Sequence, residues 1–376
     1  MNFNNQNRIP IISLFTGGGF MDMGFIKAGF EVVFANEYDK VFTNLHDEGL
    51  SSWAHNQNEP FCPITSTESL IDLSSKSILE TAFSNGTPKI WGIIGGPPCQ
   101  DFTMRGKGDG FNGSRGKMTH IFLERIQQMK PSFFVMENVV GLLMRKEAKL
   151  TLDSLLLELI SGDYYIDRTT LNALDFGVPQ YRKRVFMVGL RKDCFSVNKT
   201  QQPSLSNICS FSFNWPKPKY PNALNTFPWP NQSPFGSSSV TLPADVPLEL
   251  CVQKCVYDSE KQPNGDEYIK FGSVSSNRML INEGDTQRRS FKRLHRYRYS
   301  PTTCFGNNEV FLHPYLNRRI SVREALRIQS VDDDYIWKGK RLTAKFKVIS
   351  NGVPVLLAQA VAEQLINMLE GHTLVT

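Results

Sequence analysis

A chain of 376 residues, 40% hydrophobic and 21% charged, is long enough to bury a sizeable core in one large or two modest domains. Its 42 Lys+Arg against 36 Asp+Glu leave a formal charge of +6, which permits a polyanionic partner without demanding one. No apolar run approaches membrane-spanning length, MNFNNQNRIP lacks a signal-peptide core, and seven scattered cysteines do not suit a secreted disulfide framework. A cytoplasmic protein with no membrane partner is expected. The closest cysteine pair, Cys251 and Cys255, has no companion Cys/His pair at zinc-site spacing, so no metal is expected either.

Over roughly the first 190 residues, strand-like and helix-like stretches alternate. The strand-like runs are residues 9–15 (IPIISLF), 31–36 (EVVFAN), 90–94 (IWGII), 133–136 (FFVM) and 185–190 (VFMVGL); the helix-like runs include 118–129 and 149–160. This alternation predicts an α/β fold with a doubly wound, mostly parallel sheet. The texture then changes: residues 203–247 hold nine of the 21 prolines, with Ser, Asn and aromatic residues between them. Phe211, Phe213, Trp215, Phe227 and Trp229 need somewhere to pack, so residues 195–305 read as a second, smaller, irregular domain. Helical patterns return at 322–329 and 354–369. The division is 1–194, 195–305, and 306–376 returning to complete the first domain.

The first strand runs into Phe15-Thr16-Gly17-Gly18-Gly19. Glycines there let backbone approach a ligand at a helix N-terminus. Glu37, 20 residues after Gly17, falls at the tip of the second strand, where a carboxylate can accept hydrogen bonds from ribose hydroxyls. Such a loop can serve NAD, FAD or S-adenosylmethionine, or be a tight turn. Asp22 occupies the place of the third glycine in G-x-G-x-x-G; this departure from the pyrophosphate-binding pattern favours S-adenosylmethionine.

Residues 95–103 read GGPPCQDFT, and 137–139 read ENV. The first sets Cys99 on a stiff turn after a buried strand; the second sets Glu137 at the end of the next. A nucleophilic thiol and an acid on neighbouring strand ends suit attack on an electron-poor ring that must be protonated to react. A Gly-rich basic loop follows Cys99 and reads as a mobile lid, with Arg105, Lys107 and Arg115 available for phosphates. Asn138 can orient the cysteine loop. In QYRKR before the last strand, Arg182 and Arg184 lie two apart, on one face of a strand, placed to hold a substrate oxygen or phosphate.

Together PPCQ, ENV, QYRKR, NRRISVREALRIQ and SNGVP resemble, in type and order, the motifs of bacterial cytosine-C5 DNA methyltransferases, over about residues 10–190 and 310–370. SLFTGGGFMDMGF resembles that family's first motif, F-x-G-x-G-G, with Phe20 in place of the last glycine. The resemblance implies an S-adenosylmethionine methyltransferase fold. Cys99 would be the nucleophile, forming a covalent bond to C6 of a flipped cytosine, Glu137 the acid at N3, and Arg182 and Arg184 contacts to the base. Phe15 and Tyr38 would flank the adenine and Glu37 would hold the ribose. Gly17, Gly19, Pro97, Asn351 and Val353 would complete the cofactor pocket, with Asp72 as the adenine-amine acceptor and Gln100 on DNA. Arg323 would be structural.

Residues 195–305 match no motif, and in this family the target-recognition domain sits there. Gln287–Ser300 carries Arg288, Arg289, Lys292, Arg293, Arg296 and Arg298 with no acid, interleaved with aromatics as on a nucleic-acid surface. The target base must leave the stack to reach Cys99. The expected partner is double-stranded DNA, the expected state a monomer, and the expected setting a restriction-modification system. A transfer-RNA methyltransferase, a non-catalytic DNA-binding module and a nicotinamide oxidoreductase are the competing readings.

Overall fold

The computed structural model describes residues 8–59, 61, 63–98, 116–197, 202–205, 207–271, 276–306 and 309–371. Cys99, Gln100, Arg105, Lys107 and Arg115 lie outside them.

Seven strands form one sheet: β1 (Ile9–Leu14), β2 (Phe30–Asn36), β3 (Ile64–Ser66), β4 (Gly92–Gly95), β5 (Phe133–Val139), β6 (Tyr164–Asn172) and β7 (Lys183–Arg191). Their order is β3-β2-β1-β4-β5-β7-β6. All neighbours are parallel except β7, which runs antiparallel to β5 and β6. The expected strands are present within a few residues of their expected bounds. β3 and β6, with its Thr/Tyr-rich run, went unread. Apolar residues cover both sheet faces, as parallel strands between helices require. The order reverses between β1 and β4, and ligands of open α/β sheets bind outside the strand ends at such a point.

Helices α1 (Phe20–Lys27), α2 (Lys40–Gln57), α3 (Ser75–Ala82), α4 (Gly116–Met129), α5 (Gly141–Met144) and α6 (Lys146–Ser161) connect the strands. Asp39 caps α2 and Ser74 caps α3, each through a side-chain oxygen accepting a backbone N–H. Between β7 and residue 321 the described residues form only short helices, among them α7 (Ala223–Thr226) and α8 (Val252–Val256), and isolated bridges. Phe211, Phe213, Val252, Cys255 and Leu294 of this irregular stretch join the same apolar core as β1, β5 and β7. A small satellite cluster forms around Leu174, Ala223 and Leu250, with Phe227 and Trp229 against it. The aromatics thus pack partly on the sheet domain itself.

The chain returns through α9 (Val322–Ile328), opened by a Ser321–Glu324 capping box, then α10 (Leu342–Asn351) and α11 (Val355–Gly371). Leu342–Gly371 is long and apolar enough to cross a membrane by composition, contrary to the reading of the sequence. The stretch is broken between α10 and α11, and α11 buries its apolar face against α1. At that crossing a Cβ on Gly24 would meet Ala358 Cβ at 2.7 Å, so glycine sets the approach of the two helices.

Candidate active site

The strand ends around the switch point open into one cavity of about 750 Å³. Phe15 follows β1, and its φ of 57° turns the chain sharply into Thr16–Gly19. Gly17, at φ 58°, presents its N–H to the Glu37 carboxylate at 3.0 Å, and the Asp39 N–H reaches the other oxygen at 2.9 Å. Each oxygen keeps lone-pair capacity for a ligand hydroxyl. Burial raises the Glu37 carboxyl above its ordinary value, while those two N–H groups pull it down. Tyr38 is exposed at the rim.

The opposite end is built on β4 and β5. The Asn138 side chain donates to the Pro97 carbonyl at 3.2 Å, tying β5 to the segment that follows β4. Glu137 is buried and pairs with Arg184, whose Nε lies 2.8 Å from Oε1. Burial raises the Glu137 carboxyl; Arg184, then Arg182, oppose it. The result is an acid that holds its proton more readily than a surface glutamate, beside a cation that tempers the effect. Thr302, Thr303 and Cys304 form another wall, and Ser350, Asn351, Gly352 and Val353 another.

Phe15, Gly17, Glu37, Tyr38, Pro97, Glu137, Arg184, Asn351 and Val353 therefore share one cavity. Gly19 stands behind it as the N-cap of α1, where a Cβ would strike Leu50 and His46 at 2.4 and 2.8 Å. Three expectations need correction. Arg182 does not line the cavity: it is fully buried and its guanidinium donates to Thr303 O, Ser350 O and Gly352 O at 3.2, 2.8 and 2.8 Å. It braces two cavity walls through those carbonyls. Asp72 is exposed and off the cavity, because the turn at 69–73 sends Leu70 and Leu73 inward and presents Ser69–Ile71 to the site. The basic run is not all surface. Arg293 is fully buried on the carbonyls of Arg278, Ile281, His313 and Leu316, and Arg296 forks onto Glu283. Arg288 and Arg289 are exposed; Lys292 and Arg298 are half-buried. Arg323 braces the carbonyls of Pro263, Asp332 and Tyr335.

One group went unread. Asp22, fully buried, lines the cavity and accepts from Ser13 Oγ (2.6 Å) and Thr16 Oγ1. His46 Nε2 lies 3.1 Å from Asp22 Oδ2, and Nδ1 lies 2.8 Å from Asp47 Oδ1. Only an imidazolium donates from both nitrogens. Although burial works against it, hydrogen bonds to the two carboxylates raise the His46 pKa to about 9. The only sequence signal was an aspartate in the place of a glycine.

A cavity at the switch point, with a carboxylate at the second strand's tip, is where an open α/β sheet holds a ligand, and the family match below makes this the fold of an S-adenosylmethionine-dependent methyltransferase. A family model for C-5 cytosine-specific DNA methylase matches residues 9–367. Type II methyltransferase M.NmeDI of Neisseria meningitidis serogroup C is 34% identical over 382 residues, spanning 98% of this chain and 86% of the relative. M.FnuDI of Fusobacterium nucleatum is 29% identical, spanning 95% and 94%. A solved prophage-encoded protein from E. coli, described as a DNA modification methyltransferase, superposes with TM-score 0.67 at 25% identity over 96% of this chain and 99% of that one. The S. pombe Dnmt2 methyltransferase shares the fold, with TM-score 0.55 at 14% identity. The chain belongs to the C-5 cytosine-specific DNA methylase family; it is a DNA (cytosine-5-)-methyltransferase that uses S-adenosylmethionine.

Proposed function

We propose that the protein methylates a cytosine flipped out of double-stranded DNA at a specific sequence, with Cys99 as nucleophile and Glu137 as the acid at N3. It acts as a monomer in the bacterial cytoplasm, as the modification enzyme of a restriction-modification pair. The observation that carries this reading is the Asn138–Pro97 hydrogen bond, which ties the acid-bearing strand end to the turn before Cys99.

C5 of cytosine is a poor nucleophile. Addition of the Cys99 thiolate to C6 forms the S–C6 bond and moves the C5–C6 π electrons into the ring. Glu137 delivers a proton to N3 as that charge develops, and C5 becomes enamine-like. When bound, S-adenosylmethionine would supply a methyl sulfonium as the electrophile for C5, with S-adenosylhomocysteine as its leaving group. Loss of the C5 proton to a base, return of the N3 proton to Glu137 and expulsion of the Cys99 thiolate restore the ring. Glu37 suits the ribose hydroxyls, with Phe15 and Tyr38 about the adenine and Asn351 and Val353 closing the pocket. Arg184 orients Glu137. Residues 195–305 read the sequence, with Gln100, Arg105, Lys107 and Arg115 on the DNA from the cysteine side and Arg288 and Arg289 on phosphates.

The test is expression in a host without cytosine-C5 methylation, followed by bisulfite sequencing of its DNA and RNA. Complete methylation of one cytosine in one DNA motif is expected. Methylation confined to transfer RNA, or none from a folded chain that binds cofactor, would overturn the reading.

A further inference from the structure

A second concavity, of about 260 Å³, lies beside the catalytic cavity and shares a wall with it. Tyr299 and Pro301 line the second, and Thr302 to Cys304 line the first. The shared segment is pinned to the sheet domain. Tyr181 N–H donates to Ser300 O at 2.9 Å, Ser300 N–H to Pro179 O at 2.8 Å, and Thr302 Oγ1 to Tyr181 O at 2.7 Å.

No carboxylate lines this pocket, while Lys292 and Arg298 both do. Among the described residues neither cation has an ion-pair partner, whereas Arg288 pairs with Asp285 and Arg296 with Glu283. Arg298 lies 5.4 Å from the Tyr299 ring centre, with only a 3.4 Å contact to Pro230 O. Thr286 and Gln287 add neutral donors. The wall also contains His295, which is 2% exposed. Its Nδ1 accepts the Tyr297 N–H at 3.0 Å, so the neutral ring carries its proton on Nε2, which has no hydrogen-bond partner. Cations without acids, in a polar hollow one wall from the reacting centre, suit an anion.

Resting on the function proposed above, we infer that this pocket seats one backbone phosphate of the DNA, near the target cytosine, because one chain segment lines both hollows. Lys292 and Arg298 hold it, anchoring the strand where the base leaves the stack. A lysine point charge beside a stacked guanidinium suits a phosphate better than a base edge.

The probe is a duplex carrying the enzyme's own methylated motif, with single methylphosphonate linkages scanned across it. Wild type should lose roughly tenfold in affinity at one linkage near the target. Lys292→Gln with Arg298→Gln should bind ordinary duplex more weakly, show no further loss at that linkage, and lower the slope of log K against log salt by about 1, the share of a single phosphate. Cofactor affinity, which reports folding, and the methylated motif should not change. An unchanged salt slope, an additive loss at every linkage, or a relaxed motif indicating a base contact would each overturn the inference. Wild-type methylation of the unmodified duplex is scored separately: its failure indicts the proposed function, not the pocket.

Discussion

Asn138 on β5 donates its side-chain N–H to the carbonyl of Pro97, 41 residues earlier at the end of β4. Its own oxygen accepts the Val139 N–H at 2.9 Å, which sets the amide's orientation. One side chain therefore registers the strand end that carries Glu137 against the segment that follows β4. Asn138→Ala should slow methyl transfer at least tenfold while leaving cofactor affinity within a few-fold, as expected when a buried acceptor loses its partner. Single-turnover rates and calorimetry check this. Equal loss of both would mark Asn138 as a general fold element.

Glu137→Gln keeps the shape and removes the proton. Catalysis should fall by about 10²–10⁴, the usual range for a general acid, with DNA affinity nearly intact. Because burial raises the Glu137 carboxyl, the wild-type rate should carry a descending limb as pH rises through that raised value. The glutamine variant should lack the limb. A variant that keeps the wild-type profile would rule out Glu137 as the titrating acid.

Arg182 and Arg184 should separate cleanly. Arg182→Lys replaces a fork that reaches two chain segments, at Thr303 and at 350–352, with a single ammonium. It should lower the melting temperature by several degrees and weaken cofactor binding. Arg184→Lys should leave the melting temperature closer to wild type and cut the rate. Calorimetric melting curves decide; the reverse pattern would mean the brace and the catalytic partner have been exchanged.

His46 links the cofactor loop to pH. Its folded-state pKa of about 9 lies above the ordinary 6.5. The stabilisation is therefore fully present below about pH 6.5 and is lost as pH rises through 9. At 1.36 kcal/mol per pKa unit the span corresponds to about 3 kcal/mol. Wild type should lose stability between pH 7 and 9.5, and His46→Asn should lose much less over the same interval. Parallel denaturation curves for the two proteins would contradict the imidazolium.

Of the described cysteines Cys304 is exposed and lines the catalytic cavity. Burial pushes the Cys251 and Cys255 thiols up to about 12. Brief maleimide treatment of a Cys99→Ser variant should therefore label Cys304 before those two, and the label should hinder DNA binding. The covalent adduct with 5-fluorocytosine DNA should still map to Cys99 in wild type. Peptide mass spectrometry reads both outcomes; an adduct on Cys304 would reassign the nucleophile.

The residues that share the cavity were legible where their chemistry is local. Glycines after an apolar strand, a carboxylate at a strand tip and Pro-Pro before a cysteine each announce a turn or a strand end by themselves. Arg182, Arg293 and Arg296 were misread because an arginine looks solvated until its partners are known. Those partners are backbone carbonyls and a buried glutamate that only tertiary folding delivers. Asp72 failed for a related reason: a turn's handedness decides which of two neighbours faces inward. The Asp22–His46 pair spans two helices and has no spacing rule to betray it.

The bonds of Arg182 cross 121, 168 and 170 residues of sequence. Such distant closures come late in folding and cannot begin until the chain exists. A ribosome that has already released the strands of the sheet has not yet made two of the walls Arg182 ties together. The cavity is thus finished only after residues 350–353 have left the ribosome, and a chain that stops short of them lacks the wall that Arg182 ties to the strands.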